Sequence, residues 1–135
     1  MVCRKRKFST KRKRNYLAQW FFAAVAWALQ KEIRKIFWTH DLRDPEYPKI
    51  KLDGLLAGNI IYLDDALTKR EATETLIHEL CHGFVSFPGN GKKDEKFISQ
   101  LTTILWNTFS NKEKRLIRKF LPSKKQRAKP PWYRS

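Results

Sequence analysis

Hydrophobic residues recur at helical spacing in several stretches of this chain. In the first stretch they lie three and four positions apart from Leu17 to Phe37, which predicts one long amphipathic helix. Three aromatic side chains fall outside the main stripe of this helix: Trp20, Phe22 and Trp27. They indicate a second apolar contact, with the domain core, a dimer partner or a lipid surface.

The apolar run from Leu17 to Leu29 raises the question of a membrane. As a helix it is about 20 Å long, whereas a bilayer-spanning helix needs about 20 apolar residues. The basic residues before it and its small residues would also suit a secretory signal. Because the helical spacing continues beyond the run, we expect a folded helix and no membrane span. Export and docking on a membrane surface are the alternatives.

The pattern changes to that of a hairpin after two prolines, which indicate a loop. Two short strands are predicted, Lys49 to Leu56 and Ile60 to Leu63, around Gly58-Asn59. Apolar residues alternate with lysines at the start of the first strand, so we expect it to be half exposed. The second is apolar throughout and is expected to be more buried.

A capping box, Thr68 to Glu71, predicts the start of a second helix, and Phe87-Pro88-Gly89 predicts its end. A third helix is expected from about Asp94 to Phe109. Its predicted apolar stripe contains Phe97, Leu101, Ile104, Leu105 and Thr108.

A second capping box, Ser110 to Glu113, predicts a short basic helix that Pro122 ends. Four apolar residues could dock this helix on the domain: Leu116, Ile117, Phe120 and Leu121.

Composition limits the possible architectures. With 135 residues, of which 41% are hydrophobic, the chain can form one ordinary core, and one domain is expected. Cys3 and Cys81 are far apart and differ in setting, so they do not indicate a disulfide framework. A reducing compartment, the cytoplasm, is therefore expected.

The formal net charge of +16 is concentrated at the ends of the chain. Residues 1–14 carry eight Lys or Arg and no acid, whereas residues 15–111 carry eleven basic and twelve acidic residues. We therefore predict a basic tail at 1–14, a domain at 15–121 and a basic, Pro- and aromatic-containing tail at 122–135. Such tails suit non-specific binding of nucleic acid, although they could also serve only to solubilise the protein.

The strongest chemical signal is the motif H-E-x-x-H in the second predicted helix. His78 and His82 are one helical turn apart and can share one ion, while Glu79 is 100° round the helix from His78. With three His and seven Glu in the chain, about 0.003 such motifs are expected by chance. The pattern therefore predicts a zinc site in which Glu79 holds a water molecule.

A third ligand is required, and the remaining histidine, His40, lies in a loop before the hairpin. Asp94 and Glu95 at the start of the third helix are better candidates. Glu95 shares a helix face with Ile98, Thr102 and Leu105, and Asp94 shares one with Phe97, Leu101 and Ile104. Helical spacing alone does not show whether Asp94 or Glu95 is the third ligand.

The segment from residue 49 to 109 resembles the small zincin metallopeptidases of bacteria, phages and mobile elements, including the ImmA/IrrE-like peptidases. The similarity lies in NIIYLDD, in the helix with H-E-L-x-H, and in a later helix that opens with Glu. It implies a minimal α+β zincin-like fold with a zinc ion on His78, His82 and Glu95 and with Glu79 as the catalytic base. The loop FPGNGKK is not part of that pattern, and no histidine follows His82, which argues against the related SprT-like proteases.

The resemblance implies a zinc endopeptidase in which Glu79 activates the zinc-bound water to hydrolyse a protein or peptide substrate. A nearby Tyr62 or His40 could assist. The basic tails would recruit such an enzyme to nucleic acid or nucleoprotein. The alternative is a non-catalytic nucleic-acid-binding or virion-associated protein that retains the fold. The sequence does not determine the oligomeric state.

Overall fold

The computed structural model of the protein describes residues 16, 19–84, 91–123 and 127–132, with their side chains except those of residues 91–94. Within these ranges the chain forms four helices and one three-stranded sheet. The mixed α+β class expected from the sequence is therefore confirmed.

The first helix, α1, is shorter than its hydrophobic spacing predicts. It is α-helical over residues 19–27 and continues as a π-helical turn, Ala28–Glu32. Ile33 is already extended, and strand β1 follows at Lys35–Thr39. The prediction of one helix continuing through Phe37 is wrong. The β-branched and aromatic residues of this stretch suit a strand as well as a helix, and pairing in the sheet decides between the two.

The sheet has the order β1-β3-β2, with β2 at Gly54–Ala57 and β3 at Ile60–Asp64. β1 pairs with β3 in parallel, and β2 pairs with β3 in an antiparallel hairpin. The central position of β3 explains its burial, which the apolar run predicted. β2 is left as an edge strand beside the second helix.

The hairpin turn lies at Gly58-Asn59 as predicted, with Gly58 at a φ of 65°. The strand before it, however, begins at Gly54 and not at Lys49. The Oδ1 atom of Asp44 accepts hydrogen bonds from the backbone N–H groups of Glu46 and Tyr47, at 2.8 and 3.1 Å. This side-chain turn occupies the segment before residue 50, and only an isolated bridge at Lys51 precedes the strand.

Helix α2, Lys69–Phe84, begins at the predicted capping box. The Glu71 N–H donates to Thr68 Oγ1 at 3.2 Å, and the Thr68 N–H donates to Glu71 Oε1 at 3.0 Å. The predicted end at Phe87-Pro88-Gly89 lies outside the described residues. A Cβ on Gly54 would lie 2.5 Å from Thr75 Cγ2. The absence of a side chain on Gly54 therefore lets α2 approach β2 closely.

Helix α3, Gly91–Thr108, is rotated relative to the predicted stripe. Phe97 and Ile104 are 43% and 60% exposed, so their assignment to the buried face is wrong. The buried face contains Ile98, Thr102 and Leu105, which is the face that includes Glu95. The two candidate faces differ by one residue in register and both read as apolar, so contact with α2 decides between them.

Helix α4, Asn111–Arg118, follows the second capping box, which is confirmed. Ile117 is buried and Phe120 and Leu121 pack against the core, whereas Leu116 is 38% exposed. The chain then returns to the sheet, where the Ala128 N–H donates to the Trp38 carbonyl at 3.0 Å. Arg127 and Ala128 thus lie beside β1, and Trp132 packs against Tyr62 of β3.

The inner face of α1 belongs to the core. Phe22 contacts Phe109 edge to face, with ring centroids 5.9 Å apart, so one of the three aromatic residues outside the predicted stripe packs inside the domain. Trp20 and Trp27 are instead exposed. No helix in the described ranges has the length and hydrophobicity needed to cross a bilayer.

Candidate metal centre

The side chains of His78, His82 and Glu95 meet between α2 and α3. The two Nε2 atoms are 3.2 Å apart. Glu95 Oε1 lies 2.9 Å from His78 Nε2, and Glu95 Oε2 lies 3.0 Å from His82 Nε2. The structure therefore brings together the three side chains that the sequence suggested as ligands. The side chain of Asp94, the alternative ligand, lies outside the described set.

The hydrogen bonds around His78 favour one position of the proton on its ring. The Thr102 hydroxyl donates to the Ile98 carbonyl at 2.7 Å, and His78 Nδ1 lies 3.2 Å from the same oxygen. With the hydroxyl proton engaged in this way, His78 Nδ1 is the donor of the second contact. In the neutral ring Nε2 consequently carries a lone pair, and it faces Glu95 and His82.

This arrangement places two hydrogen-bond acceptors opposite each other. A lone pair on His78 Nε2 and a carboxylate oxygen 2.9 Å away both accept hydrogen bonds, so they repel unless a cation lies between them. A proton on His78 Nε2 would remove the repulsion, but the pKa of His78 is lowered, mainly by burial, although the Glu95 carboxylate opposes this effect. A metal ion between the two atoms would remove the repulsion without protonating the ring.

The donor set also fits zinc in chemistry and spacing. Two imidazoles and a carboxylate form a common catalytic set for zinc, whose ligand atoms lie about 3.3 Å apart when tetrahedral bonds are about 2.0–2.1 Å. The observed separations of 2.9–3.2 Å are slightly shorter. Small outward movements would therefore be enough to accommodate an ion.

Glu79 is a second carboxylate near the same point. Its oxygen and the two imidazole nitrogens of His78 and His82 lie within 4.8 Å of one another. Glu95, however, directly contacts both rings, whereas Glu79 is buried and accepts a hydrogen bond from the backbone N–H of Leu56 on β2. This difference favours Glu95 as the ligand of an ion bound here and would place Glu79 beside that ion.

The environment of Glu79 disfavours its charged form. Burial, the largest cause, and the Glu95 carboxylate raise its pKa from the ordinary 4.5 to about 7, although the Leu56 N–H opposes the shift. A carboxyl group with a pKa near neutrality can both accept and release a proton at physiological pH. A divalent cation nearby would favour the carboxylate and lower this value.

These groups lie at the base of an open cleft of about 940 Å³. One wall is the loop that ends in β2, and the opposite walls are α2 and α3. Among the described residues that line the cleft, four further side chains are carboxylates and one, Lys51, is a cation; the four are Asp44, Asp53, Glu71 and Glu74. The described lining is therefore acidic although the whole chain is strongly basic.

Tyr62 and His40 are not among the residues that line this cleft. Tyr62 is buried against Trp132, with ring centroids 5.4 Å apart. The side chain of His40 is 86% exposed and lies 3.5 Å from Asp65. The expectation that either residue assists at the site is wrong for the described arrangement, because both are directed elsewhere.

Two contributions to the site were not assigned from the sequence. Thr102 orients His78, and its position seven residues after Glu95 was a usable signal, since it places both on one face of α3. The bond from the Leu56 N–H to Glu79 depends on the approach of β2 to α2, for which the sequence offers only Gly54 as a cue.

Cys81 is a buried thiol whose pKa is raised to about 11 by burial, as expected for a core residue.

Comparison of the chain with protein-family models, with curated proteins and with solved structures finds no match. The functional assignment consequently depends on the chemistry of the cleft.

Burial of Glu79 predicts a pH-dependent effect on the stability of the metal-free protein. The folded carboxyl keeps its proton up to about pH 7, whereas the unfolded one loses it near its ordinary pKa. The wild type therefore loses stability as the pH rises through this interval. Glu79→Gln avoids the loss and should be more stable by about 3 kcal/mol at pH 8.

Urea unfolding with a chelator present, at pH 5 and pH 8, measures this difference. It should fall to about 1 kcal/mol at pH 5, where the folded wild-type carboxyl is still protonated. Glu74→Gln, in the same cleft, is the control and should show no comparable change with pH. An equal difference between Glu79→Gln and the wild type at both pH values would contradict the prediction.

Proposed function

We propose that the protein is a zinc-dependent metallopeptidase with a minimal zincin-like fold. The observation that carries the proposal is the meeting of two imidazole nitrogens and one carboxylate within 3.2 Å of one another, beside the buried carboxyl of Glu79. His78, His82 and Glu95 would hold the ion. Three protein ligands are typical of a catalytic zinc site, whereas structural sites usually have four.

Zinc in such a site acidifies a water molecule and polarises the carbonyl group of a substrate. Glu79 would accept the proton of the attacking water and deliver it to the departing amine, so the proton is conserved. The Leu56 N–H holds the Glu79 carboxylate in place, and Thr102 fixes the ring of His78. Both contacts reduce the reorganisation needed for the reaction.

The acids around the cleft indicate the substrate class. Asp53 and Glu74 line the cleft in addition to Glu79 and Glu95, and carboxylates attract cationic side chains. We therefore expect preferred cleavage of peptides with Lys or Arg near the scissile bond. Basic nucleic-acid-binding proteins are a natural source of such segments.

A peptide library incubated with the zinc-loaded protein tests this function and its preference. Hydrolysis should disappear with a chelator and return with zinc. The double variant Asp53→Asn/Glu74→Gln should lower kcat/KM for Lys- and Arg-containing peptides by roughly three- to tenfold. Neutral peptides serve as the internal control and should be cleaved as before. An equal loss on both classes would reject charge as the source of the preference.

The basic ends would recruit the enzyme to nucleic acid, and the cytoplasm is the proposed location. Residues 1–14 carry eight Lys or Arg and no acid, and each neutralised phosphate releases counterions. α4 adds the exposed Lys112 and Arg115. A non-catalytic protein with the same fold would bind nucleic acid equally well, so binding and hydrolysis have to be measured separately.

Replacing the eight basic residues of 1–14 with glutamine should reduce the salt dependence of binding to duplex DNA. The slope of log K against log salt is expected to become shallower by up to about seven, at about 0.9 for each lost phosphate contact. Anisotropy titrations between about 50 and 200 mM salt measure it. The basic residues are substituted and the ends of the chain are kept, because a protein shortened to end at residue 111 would lose the buried Ile117. Lys51→Gln is the control, and an unchanged slope in the eightfold variant would reject recruitment by this segment.

A further inference from the structure

Helix α1 has apolar side chains on two opposite faces. Its inner face contributes Val25, which is fully buried, and Phe21 and Phe22, which pack against the core. This face is sufficient to attach the helix to the domain. The apolar residues on the other side of α1 lie outside the core, although the ring of Trp20 contacts that of Phe21 edge to face, with centroids 5.0 Å apart.

The outer face of α1 carries Trp20 and Trp27, which are 62% and 58% exposed, and Tyr16, which precedes the described part of α1, is 74% exposed. At about 100° per residue Trp20 and Trp27 lie about 20° apart, on the side of α1 opposite Val25. We call Tyr16, Trp20 and Trp27 the aromatic stripe. They expose on the order of 400 Å² of aromatic surface, which is comparable to the largest apolar patch on a typical monomer and is often functional.

The charges around the aromatic stripe are arranged in a pattern. Residues 15–30 contain no charged side chain. Eight Lys or Arg precede them in residues 1–14, and the exposed Lys31, Arg34 and Lys35 follow, together with one exposed acid, Glu32. The apolar surface is therefore flanked by positive charge along the chain. A second copy of this basic protein would bring like charges together at such a contact.

We propose that the aromatic stripe docks the protein on an anionic lipid bilayer, with α1 lying in the plane of the headgroups. Trp and Tyr are the residues that favour the membrane–water interface, and flanking basic residues add attraction to anionic lipid. Nucleic acid fits the stripe less well, because phosphates require cations among the contacting side chains. The inference goes beyond the proposed peptidase activity and does not depend on the metal site.

Flotation with vesicles tests the proposal. The full-length protein should bind vesicles of equal parts phosphatidylcholine and phosphatidylglycerol at about 150 mM salt, and should bind pure phosphatidylcholine at least about tenfold more weakly. The variant Tyr16→Ser/Trp20→Ser/Trp27→Ser should bind the anionic vesicles at least about tenfold more weakly than the wild type. Circular dichroism checks that this variant is folded.

The matched control is Tyr47→Ser/Ile104→Ser, which removes two side chains that are 62% and 60% exposed elsewhere on the domain. It should bind vesicles like the wild type. A second pair, Trp20→Phe/Trp27→Phe, keeps the apolar surface and guards against misfolding of the triple variant. It should retain binding within about threefold, while quenching of tryptophan fluorescence by brominated lipid falls.

Three results would overturn the proposal. The first is failure of the wild type to bind anionic vesicles, and the second is equal binding by the triple serine variant. The third is a loss of duplex DNA binding, or of a dimer in solution, on removal of the stripe while vesicle binding is kept. That result would assign the stripe to nucleic acid or to a second copy.

Discussion

The substitution Glu79→Gln is expected to lower kcat/KM for peptide hydrolysis by at least about 100-fold while zinc remains bound. The glutamine side chain has the size of glutamate and its amide oxygen can still accept from the Leu56 N–H, but it cannot take a proton from water. The three side chains that meet in the cleft, His78, His82 and Glu95, are unchanged. Zinc content by mass spectrometry and steady-state hydrolysis are measured on the same preparation.

Glu74→Gln is the matched control for this experiment, because it removes another carboxylate of the same cleft. It should leave hydrolysis of neutral peptides within about threefold of wild type. Retained hydrolysis in Glu79→Gln would reject the assigned base. Loss of zinc in that variant would show that Glu79, and not only Glu95, contributes to metal binding.

Burial of Glu79 has different consequences for the metal-free and for the zinc-bound protein. The metal-free protein loses stability as the pH rises from the ordinary pKa of 4.5 to the raised value of about 7. A zinc ion bound nearby would lower this pKa again and favour the carboxylate, which is the form that accepts a proton as a general base. The Leu56 N–H limits the cost by stabilising the charged form.

The local sequence predicted the hairpin turn, the three later helices and both capping boxes, because each of these depends on neighbouring residues. It failed where distant contacts decide. Phe37 continues the helical spacing of α1, but it lies in β1 since that segment pairs with β3. Periodicity within one segment contains no information about an available partner strand.

The candidate site was more predictable than the packing around it. The spacing of His78 and His82 follows from one turn of helix, so their proximity needs no tertiary information. The choice between the helix faces that contain Asp94 and Glu95 does need tertiary information, because both faces carry apolar residues. Ile98 is buried and Phe97 is exposed, so the face of α3 that contains Glu95 is the one that packs against α2. The same packing places Thr102 beside His78.

Metal removal is expected to destabilise the wild type strongly and to have little effect on His78→Ala. A ligand that binds only the folded state adds about 4 kcal/mol when its free concentration exceeds Kd about a thousandfold. For a chain of this size that corresponds to roughly 15 °C in Tm. Thermal unfolding with zinc and with a chelator measures the difference, so any folding defect caused by the substitution itself cancels.

Two further variants make this measurement specific to the site. His40→Ala removes the third histidine of the chain, whose side chain is 86% exposed, and should keep the full response to zinc. Glu95→Ala should lose most of the response, whereas Asp94→Ala should retain it, because burial of Ile98 favours the helix face of Glu95. A full zinc response in His78→Ala would mean that the ion binds elsewhere, and the peptidase proposal would then lose its metal.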